Sequence, residues 1–313
     1  VETTLRHHGR YEAIIREAMT LPLMRTGVVH PCSTETLRSA VELKGQGLLD
    51  PLLVGPERKI RAIADAAELS LTGIDIEPVE HSHAAADRSV ELASTGKVAA
   101  LMKGSLHSDE LLSAVVAPSS RLKTGRRMSH VYIMDIPAYH KLLIVTDAAI
   151  NIQPDLDQKR DICQNAVDLM HLLGIEMPRV AVLAAIETVS SRMPSTLDAA
   201  ALTVMSARGQ IEGALVDGPL AFDNAISIEA AQAKGIASPV AGQADILLVP
   251  DLEAGNMLAK QLIYFAGADA AGLVLGARVP IILTSRADPA KVRTASASLA
   301  RLTAAKRLEP RTA

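Results

Sequence analysis

The sequence predicts an α/β protein of two domains, and three observations carry that prediction. Short apolar runs of strand length alternate with amphipathic helical stretches from one end of the chain to the other. Most of those runs are apolar throughout, the pattern of strands buried on both faces of a sheet. At 313 residues, 49% hydrophobic and 21% charged, the chain can fill more core than one ordinary domain holds.

In chain order, GVVHP (27–31), DPLLVG (50–55) and KVAALMKG (97–104) read as strands, and SDELLSAVV (108–116) as a helix. The alternation then breaks. APSSRLKTGRRMSH (117–130) carries Pro, Ser, Gly and five basic residues counting His130, and two strands, HVYIMDI and KLLIVTDAA, follow with only PAYHK between them. A turn-rich basic segment ahead of a hairpin predicts a domain boundary near residue 120, the hairpin opening the second domain. Helices over 155–174, 194–207 and 252–267 then interleave with strands RVAVLAA, EGALVDG and ADILLVP, and AGLVLGARVPIILTS (271–285) reads as a final strand.

Composition excludes several function classes. A net charge of -3, 2% aromatic residues and no Trp supply neither a phosphate-tracking field nor stacking platforms, so no nucleic-acid partner is expected. No apolar run reaches membrane-spanning length, the start lacks the order of a signal peptide, and two separated cysteines, Cys32 and Cys163, fit a reducing compartment; a cytoplasmic protein is expected. The absence of an initial Met suggests a processed end or a segment of a longer chain. Phosphate-loop, dinucleotide, zinc-protease and nucleophile-elbow signatures are all missing, and the nine scattered histidines have no Cys, Asp or Glu at ligand spacing, so no metal site is expected.

Small and polar residues instead collect at predicted strand ends, the edge where open α/β sheets bind ligands. They are Lys103-Gly104-Ser105 with His107 and Ser108, Thr146-Asp147, Asp217-Gly218, Asp251 with Asn256, and Ser285-Arg286. Simple capping competes at some of these places: Ser108 precedes a helix, Ser195 with Asp198 resembles a capping box, and Asp223 also sits where a cap would.

At MKGSLHSDELL, IVTDAAINIQPDLDQK, VDGPLAFDNAIS, SPVAGQADILLVPDLEAGNMLAKQL and VPIILTSRAD the chain resembles the phosphate acyltransferases, the family of phosphate acetyltransferase and phosphate butyryltransferase. The resemblance implies two α/β domains of isocitrate/isopropylmalate dehydrogenase-like architecture, an active site in the interdomain cleft, and a homodimer. It also implies that the first domain is discontinuous, 1–120 plus 276–313, around a second domain of 121–275. The wording TSRAD and the compact length lean toward the butyryltransferase-like and enoyl-CoA hydratase-fused branches, which would place a hydratase domain in a longer parent chain.

The implied reaction is acyl-CoA plus phosphate giving acyl phosphate plus CoA, by direct transfer with coenzyme A and phosphate as substrates and no bound cofactor. Acetyl is the expected acyl group, butyryl or propionyl the alternatives. Within the resemblance, Arg286 offers a fork of donors to phosphate oxygens with Ser285 beside it. Gly104, Ser105 and Ser108 of the GSLHS loop, with His107, would hold the acyl phosphate or the oxyanion. Asp147, Asp251 and Asn256 would orient CoA or order the cleft. The family's acetyltransferases carry an Arg a few residues after the loop where this chain has Leu112 and Ser113, leaving Arg126 or Arg127 as substitutes. They also place an acid about seven positions past the Ser of the Ser-Arg pair. Here the nearest acid is Asp288, which before Pro289 reads as a helix cap as readily as a base. Both cysteines are expected far from this cluster. A metal- and NAD-dependent hydroxyacid dehydrogenase, or a non-catalytic acyl-phosphate or CoA sensor, would be the competing functions.

Overall fold

The computed structural model describes residues 9–283 and 289–308. The chain divides into two compact units: an outer one of Glu12–Arg126 with the described residues from Ala271 onward, and a middle one of Arg127–Ala270 with the described residues up to Tyr11. These divisions fall at 11/12, 126/127 and 270/271.

The outer segment runs α1 (Arg10–Thr20), β1 (Met24–Val29), α2 (Thr34–Gly45), β2 (Leu49–Gly55), α3 (Glu57–Ala66), β3 (Asp75–Pro78), α4 (Ser82–Ser94), β4 (Ala100–Lys103) and α5 (Ser108–Val116). The middle segment supplies β5 (Ser129–Asp135), β6 (Leu143–Thr146), α6 (Leu156–Leu172), β7 (Arg179–Leu183), α7 (Pro194–Ala207), β8 (Leu215–Leu220), α8 (Phe222–Ile226), α9 (Ile228–Ala233), β9 (Ile246–Leu248) and α10 (Leu252–Tyr264). After β10 (Asp269–Leu275) and β11 (Ile281–Ile282), α11 (Ala290–Leu308) ends the described chain.

In the outer unit the strands lie in the order β3-β2-β1-β4-β11-β10, parallel from β3 through β11. Residues Val28, Val29, Leu53, Val54, Ala100 and Leu101 are completely buried, as expected of strands covered on both faces. Expectation and structure part over 271–283, the described portion of the last expected strand, which is not one strand. Gly276, at φ +90°, turns the chain, and β11 comes back antiparallel to β10 with Val274 opposite Ile281. β11 then pairs with β4, Ile282 opposite Met102.

Helix α11 is buried over Ala295–Thr303, its small Ala and Ser side chains allowing close packing. Arg301 pins it: Nε donates to the Pro22 carbonyl (3.0 Å), Nη1 to that of Gly47 (2.8 Å) and Nη2 to that of Leu21. A guanidinium 4% exposed needs such acceptors to be tolerated.

In the middle unit the order is β5-β6-β9-β7-β8, with β5 and β6 forming the expected hairpin, Val131 opposite Thr146. Several local readings are corrected here. Ser108 is the first residue of α5 and His107 occupies the cap position, without a side-chain cap bond. Met193, not Ser195, precedes α7, and Asp198 is taken by the 5%-exposed Lys159 of α6 at 2.6 Å. Ala221 precedes α8, so Asp223 falls in its first turn. Asp217 and Gly218 lie inside β8, not at its end. Among the described residues no helix is long and apolar enough to cross a membrane.

Candidate active site

The outer sheet changes direction between β1 and β4. From β1 the chain builds β2 and β3 to one side, then returns to lay β4 on the other. The C-terminal ends of β1 and β4 therefore flank a topological switch point, where connections diverge and leave room for a ligand.

Backbone geometry there is tightly fixed. Val29 lies opposite Lys103, and the next residue, His30, adopts φ +50°. That left-handed conformation costs a residue with a β-carbon about 1 kcal/mol. It is held by three bonds: His30 N–H donates to Val54 O (2.8 Å), while His30 O accepts from Ser105 N–H (2.9 Å) and Cys32 N–H (2.8 Å). Gly104 meets this turn closely. A Cβ there would press on the carbonyl oxygens of Val29 and His30, 2.6 Å from the latter, so only glycine fits. The GSLHS loop thus starts locked against the end of β1, with Lys103 Nζ donating to Leu106 O at 3.2 Å.

His30 is a residue that strand patterning passes over. Its Nδ1 is sealed from solvent with no hydrogen-bond partner among the described residues. Burial first, then Lys59 and His81, hold the imidazole below its ordinary pKa, with Glu110 pulling the other way. Cys32 is also here, not far away as expected, but burial raises its thiol pKa and keeps it protonated. The other thiol, Cys163, is buried in α6 and pushed up to about 12. Neither is poised as a nucleophile.

Of the GSLHS residues, His107 is exposed and faces an open hollow of about 680 Å³ lined also by His83, Asp87, Asp109 and Glu110. His83 Nδ1 lies 2.9 Å from Glu110. Three carboxylates make that hollow a poor place for an anion such as phosphate. β11, parallel to β4, ends at the same edge at Ile282. Ser285, Arg286 and Asp288 lie outside the described residues.

The middle unit has its own strand-end cluster. The Asp147 carboxylate, 2% exposed, accepts the N–H groups of Ala149 (3.0 Å), Ile150 (3.1 Å) and Asn151 (3.3 Å) and the Asn151 side-chain amide. Asn151 also donates to Met128 O (2.8 Å) and accepts from Arg127 Nε (2.7 Å). Asp251 caps α10 through Ala254 N–H at 2.8 Å, and Asn256 donates to Ala148 O at 3.1 Å. Gly255 lets α10 close on this loop, since a Cβ would come within 2.8 Å of Asp147 O. Arg126 approaches Thr124 through its backbone N–H (3.2 Å). Among the described residues no group of three or more His, Cys, Asp and Glu side chains is arranged to hold a metal ion.

Relatives point to one chemistry. A family model described as "Phosphate acetyl/butaryl transferase" matches residues 85–300. The chain is 55% identical over 299 residues to a phosphate acetyltransferase of Rhizobium meliloti, covering 96% of this chain and 95% of the relative. It is 39% identical over 294 residues to a phosphate butyryltransferase of Clostridium acetobutylicum, covering 94% and 98%. Among solved structures, a branched-chain phosphotransacylase from Enterococcus faecalis matches with a TM-score of 0.79 at 28% identity, over 90% of this chain and 99% of that one. With the family model spanning both units and both relatives matched nearly end to end, the chain belongs to the phosphate acetyl/butyryl transferase family.

Proposed function

We propose that this protein moves a short acyl group between coenzyme A and inorganic phosphate, acyl-CoA plus phosphate giving acyl phosphate plus CoA, with acetyl as its main acyl group. The observation that carries the reading is 55% identity to a phosphate acetyltransferase over almost the whole chain, against 39% to a butyryltransferase. Butyryl or a branched acyl group is the second reading, favoured by the likeness to a branched-chain phosphotransacylase. Family membership weighs against the dehydrogenase and sensor alternatives.

In this reading phosphate attacks the thioester carbonyl in a ternary complex, and no protein thiol takes part. The Gly104 backbone N–H, with Ser105 and with Ser108 at the start of α5, serves the acyl phosphate or the developing oxyanion, while His107 stands apart at the acidic hollow. Ser285 and Arg286 hold phosphate, the guanidinium through paired hydrogen bonds. Asp147, Asp251 and Asn256 keep the middle strand-end loops in shape for CoA. The protein acts in the cytoplasm as a homodimer, with no metal or other cofactor.

The test is CoA release from acetyl-, propionyl- and butyryl-CoA with phosphate, with and without NAD and EDTA. Acetyl-CoA should give the highest kcat/KM, unaffected by either addition. Release that requires NAD or a metal would overturn the reading. Arg286→Lys, which keeps charge but loses the fork, should raise KM for phosphate well beyond any change for CoA. An equal loss for both substrates would count against the assignment.

A further inference from the structure

We propose that His30 is the catalytic residue that exchanges a proton with the CoA sulfur, an assignment resting on the acyl-transfer reading above. Three observations converge on it. The first is position. His30 ends β1 at the switch point, and its carbonyl is bonded to Ser105 N–H of the loop assigned to the acyl group.

The second is conformation. Among the described residues, His30, Glu68 and Arg121 are those with a side chain and positive φ. A turn needed only for shape would be served better by glycine, so retaining a β-carbon at φ +50° points to a use for the imidazole.

The third is that no described residue engages the ring. His81 caps α4 through Nδ1, and His171 bonds Gly213 O through Nε2. His30 has a sealed, unpartnered Nδ1. Its charged surroundings are Lys59 of α3 and His81 ahead of α4, which disfavour the cation, and Glu110 of α5, which favours it. Burial outweighs the carboxylate, so the ring is a neutral proton acceptor at neutral pH.

In thiolysis of the acyl phosphate, the S–H proton passes to Nε2, the ring nitrogen that is not sealed, as the sulfur lone pair bonds the carbonyl carbon. The tetrahedral oxyanion then collapses and the carbon–oxygen bond to phosphate breaks. Its electron pair leaves with phosphate, which takes the proton back from the imidazolium. Phosphorolysis of acyl-CoA runs the same steps in reverse, and the enzyme ends neutral either way.

Glycine substitution separates chemistry from shape. His30→Gly suits φ +50°, so its melting temperature should equal or exceed that of the parent while kcat falls at least about a hundredfold. Activity within about threefold of the parent would overturn the proposal. Should the glycine variant fold poorly, His30→Asn decides, because Asn also tolerates the left-handed conformation. The parent kcat/KM for CoA should fall on the acid side, below about pH 6.5. His30→Asn should lack that limb, and a variant that is slower but keeps it unchanged would show His30 to be structural. If the unsubstituted protein transfers no acyl group to phosphate, the underlying function fails first; an active parent with an indifferent His30 removes this assignment alone.

Discussion

The two sheet edges resemble each other in composition and differ in how their polar groups are used. At the middle edge the named polar side chains are engaged with the chain itself: Asp147 by three backbone N–H groups and Asn151, Asp251 by Ala254, Asn256 by Ala148. At the outer edge the backbone is just as firmly held, yet the His30 ring has no described partner. Groups bonded to their own loops hold those loops in one shape. An unsaturated group on a locked backbone is preorganised for a ligand. His130 sharpens the contrast: its Nδ1 is also unpartnered, but at 1% exposure the ring is shut in, and burial drives its pKa to about 4 against the pull of Asp147.

Gly104→Ala should have the largest effect, because the added methyl runs into the Val29 and His30 carbonyls. A loss of about 3 kcal/mol in urea unfolding is expected, with activity falling in step. A variant of parental stability would mean that the loop is not locked against β1.

The next largest effect is a pH dependence at the middle edge. His130 has a depressed folded-state pKa, so below the unfolded value near 6.5 the unfolded chain binds the proton more readily and stability falls. From pH 6.5 toward about 4 the loss due to this group should reach at most about 1.4 kcal/mol per pH unit. His130→Phe should flatten the slope in that window. An unchanged slope would place the acid sensitivity elsewhere.

Asp251→Ala should have the smallest effect, about 1 kcal/mol from one lost helix cap, with Asp251→Ser restoring most of it. A hundredfold fall in kcat without loss of stability would make Asp251 more than a cap and blur the distinction between the edges.

How far the sequence discloses this arrangement depends on whether the cause is local. Buried strands such as LLVG and ILLV announce themselves because an apolar run has few other fates, and the β5–β6 hairpin follows from two runs with a short link. β3 is silent: DIEP is four residues with no apolar stretch, half exposed at the sheet margin. The run 271–285 reads as one strand because nothing apolar is missing, while Gly276 and the bonds of 123–124 to 276–277 fold it back. Asp198 has capping spacing, but Lys159, distant in sequence, takes its carboxylate. The strand-end residues of the GSLHS loop and Asp147 are legible because small and polar residues interrupt apolar runs there. His30 is hidden since its signal is a backbone angle, and the one local hint is a histidine closing a buried strand just before Pro31.

A structure of the protein with coenzyme A bound tests the central claim most directly. The account predicts the sulfur at the C-terminal end of β1, within about 3.5 Å of Nε2 of His30, a distance over which a proton can pass. A sulfur placed out of reach of that ring, with another acid or base beside it, would contradict the account.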